Sequence, residues 1–492
     1  MIHGKSVILL TLVSSIFLIS IMPAEASSNP NLFVSAENSQ FDNRFSGSMV
    51  VEVIIRDSNI HDTDQGKGEP DVTLNGKSLR MVQSSDGNWY AYFANIDKAK
   101  VADSTQSPTS GKGLDFGVFC SKDTESTVFG ISLSETQGFA VPKSSGLDGY
   151  TNGDTSFHQC TGTPTSSTNL NNVVRNAKSI NTNPNIPTGQ IGLDSDAWPL
   201  IQLFSFNDVK IQYNAGGNPQ SVDLKYDDSD NISFNLDRTI YPQNSEVFLT
   251  VNDFQLNQDP TDEDSWTFNI DSPVATFYQA YDESGSDSAN TNAGLVNLIP
   301  NLSNLGFKDN GKLSMTLGNI VKLKSNNEQP ETFVDDAIPG NSFSKIVTLV
   351  ESGPNSGVFD SVDDNDKSTI AILDDAPRGH TGQIEYNRQS LSILTGPSTS
   401  SISINEPVLI VGDGTKSLTP GTKFPVILID SDQNLNSGSR DRLDVFRNTA
   451  LIPTLKIGNP ITLEKSSDVK FYTTSSDDLT GTSRQPASSL PD

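Results

Sequence analysis

The sequence predicts an all-β protein made of several β-sandwiches, with a few short helices. Three observations carry this. Short β-branched and aromatic runs alternate with turn-forming residues, among them 36 glycines and 26 prolines in 492 residues. Sustained 3.6-residue periodicity is scarce, so helices should be few and short. A motif, Asp-x-(Asn/Gln)-(Leu/Ile)-(Asn/His), occurs three times, each time after an apolar run and before a polar loop.

Taken from the start, Lys5, an apolar run over 7–22 and Ala24-Glu25-Ala26 have the layout of a signal peptide spanning 1–26. The competing reading is a retained anchor, which the small-x-small site and the short run disfavour. No later stretch is apolar enough to span a bilayer, so the mature chain is expected to be secreted, without a membrane span. It is too long for a single core. A first β-domain is expected over 30–165, with strands near 48–56, 70–74, 78–83, 88–94, 115–119 and 126–133 and a short helix over 95–103. An Asn/Thr/Pro-rich connector follows over 166–196. One or two β-sandwich domains are expected over 197–402, with strands near 197–206, 209–213, 221–226, 232–236 and 246–251. A short helix within 271–302 comes next, then strands near 312–324, 345–350, 368–373, 390–395 and 401–411. A further domain opens at 403 and reads as incomplete by 492, where the alternative is a natural tail. Two segments, 79–93 and 346–362, have the outline of hairpins whose turns need Gly or Asn at positive φ.

The three motif copies are "RDSNIHDTDQGKGEPDV" from Arg56, "VNDFQLNQDPTDEDSWTF" from Val251 and "IDSDQNLNSGSRDRLDVF" from Ile429. Asp and Asn side chains there compete with the strand ladder and form Asx turns. The apolar residue between them, Ile60, Leu256 or Leu435, should point back to the core. Clustered oxygens also suit a hard cation. The calcium-ligand candidates are Asp57, Asp62, Asp64, Glu69 and Asp71 in the first copy. In the second they are Asp253, Asn257, Asp259 and Asp262. In the third they are Asp430, Asp432, Asn434, Asn436 and Asp441. An EF-hand is excluded: Leu435 stands where Gly is needed, Asp441 where Glu is needed, and Val251 at the first ligand position of copy two. The competing reading of every copy is a solvated acidic loop held by Asx turns.

Cys120 and Cys160 are the two cysteines. In an exported chain they suggest one disulfide, which would contribute about 3–4 kcal/mol in the loop-entropy picture; two free thiols is the alternative. Asn231-Ile232-Ser233 and Asn301-Leu302-Ser303 are glycosylation sequons, or chance triplets. The net charge of −27 argues against nucleic acid and anionic membranes, and favours divalent and small cations as partners. His61, His158 and His380 are scattered, and no nucleophile elbow, zinc-binding helix, phosphate loop or dinucleotide fingerprint occurs. The chain therefore reads as a non-enzyme, although acidic residues are too many for a glycosidase pair to be singled out.

The stretches "DTDQGKGEPDVTLNGKSLRMVQSSDGNWYAYFANIDKAKVAD", "GLDFGVFC", "GQIGLDSDAWPLIQLF" and "ESGPNSGVF" resemble the surface-layer (S-layer) proteins of ammonia-oxidising archaea. The resemblance spans 30 to about 440. It implies tandem immunoglobulin-like domains in a secreted structural protein that self-associates into a porous two-dimensional lattice, commonly with calcium and glycans. Such chains are usually longer. It brings no catalytic residues. The alternative function is a secreted adhesin or glycan-binding protein, with Trp89, Tyr90 and Tyr92 as an exposed stacking platform.

Overall fold

The computed structural model describes residues 30–105, 114–123, 132–141, 144–145, 153–160, 166–167, 173–174, 179–181, 200–216, 219–228, 232–270, 298–308, 310–323, 346–362, 367–396, 400–404, 408–410, 416–418, 426–430, 432 and 434–441. These are mostly β-strands, with only short helices, so the chain is all-β. No helix among the described residues is long and apolar enough to cross a membrane.

The first unit consists of two sheets. One has seven strands: Leu32–Val34, Val51–Ile55, Trp89–Asn95, Ile201–Phe204, Gly138–Val141 and Val118–Cys120 in spatial order, with Val82–Gln83 beside the start of Trp89–Asn95. The other has five: Arg44–Phe45, Gln220–Tyr226, Asp208–Tyr213, Val72–Leu74 and Lys77–Ser78. The strand Trp89–Asn95 is buried along its whole length, and its two-residue period explains why. Trp89, Ala91 and Phe93 belong to the core shared with Val72, Ile211 and Leu224 of the five-stranded sheet. Tyr90, Tyr92 and Ala94 belong to a second core, with Ala99 and Ala102 of the helix Ile96–Asp103. A strand covered on both faces reads in sequence as a continuous apolar run. The Asn95 side chain starts that helix by accepting from the backbone N–H groups of Asp97 and Lys98, which would otherwise be unpaired in the first turn.

The second unit pairs Ser233–Leu236, Leu249–Asn252, Val358–Asp360, Ile346–Glu351 and Ser265–Asn269 in one sheet. Ile240–Tyr241, Gln389–Thr395, Thr381–Tyr386 and Leu313–Thr316 form the other. Its core, with Phe234, Val251, Trp266, Phe359, Ile384 and Tyr386, is continuous with the second core of the first unit.

Both units follow one plan. The strand before the motif lies between the unit's first strand and a later one, antiparallel to both: Val51–Ile55 between Leu32–Val34 and Trp89–Asn95, and Leu249–Asn252 between Ser233–Leu236 and Val358–Asp360. A two-residue strand crosses to the facing sheet and runs parallel to the unit's last strand, as Arg44–Phe45 does with Gln220–Tyr226 and Ile240–Tyr241 with Gln389–Thr395. That last strand forms a hairpin with Asp208–Tyr213 in one unit and Thr381–Tyr386 in the other. A third unit opens the same way, with Ser400–Ile404 antiparallel to the motif strand Val426–Asp430.

The first unit therefore continues past the expected boundary at 165. Its closing hairpin, Asp208–Tyr213 with Gln220–Tyr226, comes after the Asn/Thr/Pro-rich stretch, which is an excursion within the unit's sequence. The strand Ile201–Phe204 likewise joins the first unit's sheet, parallel to Trp89–Asn95. Both expected hairpins form, with Asn355, Gly357 and Gly87 at positive φ. Most of the strand expected near 126–133 and most of the helix expected in 271–302 lie outside the described residues, and 132–133 are not in a strand; a short helix occurs at Leu302–Leu305. Cys120 and Cys160 are joined by a disulfide, their Cα atoms 5.4 Å apart.

Candidate functional site

The repeated loop has the same internal bonding in the first two units. Asp57 Oδ1 accepts from the Asn59 backbone N–H at 2.9 Å, and Oδ2 accepts from the Tyr213 hydroxyl at 2.8 Å. Asp253 Oδ1 accepts from the Gln255 backbone N–H at 3.0 Å, and Oδ2 accepts from the Tyr386 hydroxyl at 2.6 Å. Each Asp thus closes an Asx turn with one oxygen and ties the motif strand to the facing sheet with the other. An indole completes each loop: Trp89 Nε1 donates to the Ile60 carbonyl and Trp266 Nε1 to the Leu256 carbonyl. The two tryptophans occupy different places in their sheets. Trp89 is on the strand adjacent to the motif strand, whereas Trp266 is on the far edge of its sheet. Of the three residues expected to pin the turn, Leu256 is fully buried in the core and Ile60 partly packed on it, while Leu435 is partly exposed.

The loops differ in what covers them. Residues 253–261 are buried because the second loop sits on the connection that precedes the first unit's motif strand. The Val50 backbone N–H donates to the Gln258 carbonyl at 3.2 Å. Ser48 Oγ donates to Gln258 Oε1 at 2.7 Å, and Gln255 Nε2 to Ser46 Oγ at 3.2 Å. Phe254 packs on Phe41 with ring centroids 5.3 Å apart. The fit is close enough that a Cβ on Gly47, at φ +59°, would lie 2.1 Å from the Leu305 carbonyl oxygen.

The third loop sits on the same connection of the second unit. The Glu246 backbone N–H donates to the Leu435 carbonyl at 2.8 Å. Arg238 donates to the Asn434 carbonyl at 2.6 Å, Asn436 Nδ2 to Glu246 Oε2 at 3.3 Å, and Ser437 Oγ to Asp237 Oδ2 at 2.8 Å. Asp441 Oδ2 accepts from the backbone N–H groups of Leu435 and Asn436. The motif is thus a junction element: twice, the loop of one unit is seated on the unit before it. In the first unit Ser58, Asn59, His61 and Asp62 are exposed.

Several acids are buried at the junction. A buried irregular loop must satisfy its amides without a ladder, and carboxylates do this here. Asp264 Oδ2 accepts from the backbone of Gln258 and Asp259, and Glu351 from that of Asp264 and Gly357. Asp259 accepts from Thr261, and Glu52 Oε2 accepts from the Tyr92 hydroxyl at 2.6 Å. Burial, joined by the Asp264 charge, pushes the Glu351 carboxyl up to about 8. Burial also raises Asp253 to about 6, outweighing its two hydrogen bonds. At Asp57 burial again acts upward, but the bonds from Asn59 and Tyr213 win and hold the group below its ordinary value.

The structure disperses most of the acidic candidates. In the first copy Asp57 faces Tyr213, Asp62 pairs with Lys67 at 3.1 Å, Glu69 takes a forked bond from Arg80, and Asp71 accepts from Asn214. Asp64 is exposed. In the second copy Asp253, Asn257 and Asp259 are buried and Asp262 is partly so; Asn257 Nδ2 donates to Asn355 Oδ1. In the third, Asp432 and Asn436 are partly exposed and Asn434 and Asp441 exposed, while the Asp430 side chain lies outside the described residues. Among the described residues no three His, Cys, Asp or Glu side chains form a group able to hold a metal ion. Asn231 is outside the described residues, and Asn301 is partly exposed at the end of the short helix Ile299–Asn301. Trp89, Tyr90 and Tyr92 are at most 4% exposed: their alternation along one strand marks core positions, here on both faces, and the alternative of a stacking platform has no exposed ring among the three.

Tyr213 and Tyr386 were invisible as partners of the motif in the sequence. They lie 156 and 133 residues after their aspartates, too far for a local pattern. Each ends a strand with the motif's alternating polarity, "VKIQY" and "GQIEY", a signal legible only once the repeat is aligned. No family model matches the chain, and no curated protein matches it.

Proposed function

We propose that this is a structural protein of the cell surface that assembles into a two-dimensional S-layer lattice. Its building blocks are tandem immunoglobulin-like sandwiches. The strand plan supports that assignment: first strand, motif strand, later strand and, in the second unit, Ile346–Glu351 make up one sheet. The two-residue crossover strand, the closing hairpin and a strand beside it, Val72–Leu74 in the first unit and Leu313–Thr316 in the second, belong to the other, as in an immunoglobulin-type sandwich. The observation that carries the functional reading is the seated junction. Two units joined through buried loops, with continuous cores, form a stiff spacer rather than beads on a flexible linker. A stiff, strongly acidic chain suits a load-bearing coat, with calcium and other cations screening repulsion between neighbours. The leader-like N-terminus supports export.

The test is electron microscopy of the purified protein with calcium and with chelator. Ordered sheets are expected with calcium. The absence of sheets in both conditions overturns the lattice reading.

A further inference from the structure

We propose that the buried carboxyl groups of Glu351 and Asp264 are a proton-operated latch between the first two units. With a proton on the pair, the second unit stays seated on the first; with both groups ionised, the seat opens and the units pivot. The latch goes beyond the lattice reading and does not depend on it.

Two segments of the second unit that rest on the first are held by this pair. One is the motif loop, which meets the first unit through Gln258, Gln255 and Phe254. The other is the hairpin turn over 352–357. There Asn355 Nδ2 donates to the Ser35 carbonyl at 2.7 Å, and a Cβ on Gly357, at φ +65°, would lie 2.8 Å from the Phe41 ring. Asp264 Oδ2 holds the loop by accepting from the Gln258 and Asp259 N–H groups. Glu351 Oε1 holds the turn by accepting from the Gly357 N–H at 2.7 Å. Its Oε2 accepts from the Asp264 N–H at 3.1 Å and so joins the two supports. The Asp253 N–H, donating to the Gly357 carbonyl at 3.0 Å, ties loop to turn a second time.

The surroundings of the pair are acidic. Asp253 and Asp259 lie on the loop, and Asp360 on the neighbouring strand takes the Thr250 hydroxyl. Asp262 and Glu263, just before Asp264, are partly exposed. From the first unit come Glu52 and the Tyr92 hydroxyl bonded to it. Burial, with the Glu52 and Asp259 charges, keeps that hydroxyl protonated far above its ordinary value. Glu69 of the first unit also satisfies a backbone amide, but it carries the forked bond from Arg80. The charge acting on Glu351 is instead that of another acid, Asp264. Two adjacent carboxylates in a dry site resist ionising together.

The sign follows from linkage. Burial, then the Asp264 charge, push Glu351 from 4.5 up to about 8. Its contribution to the seat is complete below the lower value and is lost as pH rises to the upper one. Where opening lets water reach Glu351, each pH unit in that window raises the ratio of open to seated molecules by up to about tenfold.

Spin labels on the full chain test this, one on Ser58→Cys in the first unit and one on Ser392→Cys in the second, both positions exposed. Cys120 and Cys160 form a buried disulfide and take no label. Double electron–electron resonance should give one narrow distance at about pH 6. At about pH 9 a second, broad population should appear and then disappear on return to the lower pH, with the circular dichroism unchanged. Glu351→Gln cannot ionise and should keep the narrow distance at the higher pH. Asp264→Asn removes the like charge and should lower the ratio of open to seated molecules there by about threefold or more; it also serves if Glu351→Gln fails to fold. A wild-type distribution that is the same at both pH values overturns the latch, as does opening of either variant to the wild-type extent. Loss of the circular dichroism in step with the broad population would show unfolding in place of a pivot, and overturns it too. None of these outcomes bears on the lattice reading, which sheet formation decides.

Discussion

The loops at Asp57 and Asp253 share an acid, a tyrosine and an indole, yet their acids shift in opposite directions. Asp57, 8% exposed, is held low by its hydrogen bonds; Asp253, with no exposure, is pushed up to about 6. Two causes act together. The unit seated on the second loop removes the water that stabilises a carboxylate at Asp253, and Asp57 takes an extra bond from the Asn59 side chain that Asp253 lacks. Similar local chemistry thus acquires different electrostatics from its tertiary context and from one added donor.

The largest test of this comparison is removal of the indoles. Trp89→Ala and Trp266→Ala should each destabilise by about 3–5 kcal/mol in denaturant unfolding, because both rings are buried. A loss below about 1 kcal/mol at either would show that the two tryptophans are not equivalent anchors. Next come the hydroxyls. Tyr386→Phe should cost about 1–3 kcal/mol, since Asp253 is left short of a partner in a dry site. Tyr213→Phe should cost about 0.5–1.5 kcal/mol, because Asp57 keeps its bonds from Asn59. Equal losses would mean that coverage by a neighbouring unit is not what separates the loops.

The pH dependence should separate them by sign. A raised acid contributes stability that is complete below its unfolded value, about 3.9 for Asp, and is lost as pH rises through its folded value. A lowered acid contributes stability present above its unfolded value and lost as pH falls. Asp253→Asn should therefore flatten the decline in melting temperature between about pH 4 and pH 6. Glu351→Gln should do the same between about pH 4.5 and pH 8. Asp57→Asn should instead blunt the acid-side loss below about pH 4. Melts that shift together in all three variants would break the account. The smallest effect is expected at the exposed Asn59, where Ala removes one side-chain bond to Asp57 but keeps the backbone one and should cost about 0.5–1 kcal/mol.

Much of the strand pattern was legible because β-branched runs and turn residues are local signals. The helix Ile96–Asp103 was legible from its capping Asn95. The motif was legible as a repeat, and its apolar residue as a core anchor. The end of the first unit was not. Its closing hairpin begins more than a hundred residues after Asn95, beyond the Asn/Thr/Pro-rich stretch, and composition marks loops without telling an insertion from a linker. The tyrosine partners were hidden by the same separation. The alternation of Trp89, Tyr90 and Tyr92 places at least some of them in the core, but a run of aromatics does not reveal whether the strand's second face is covered as well.

The seated junction also bears on how the chain matures. Ser48 meets Gln258 across 210 residues of sequence, so the contacts of the first unit are not complete when its own last strand, Gln220–Tyr226, becomes available. The connection before its motif strand stays open until the second unit presents its loop. Folding should then proceed by paired completion, each unit finishing its predecessor. A cut or truncation between Tyr226 and Ser233 would not release two independent domains. It would leave one with an unfilled seat and the other with Phe254 and several carboxyls newly exposed to water.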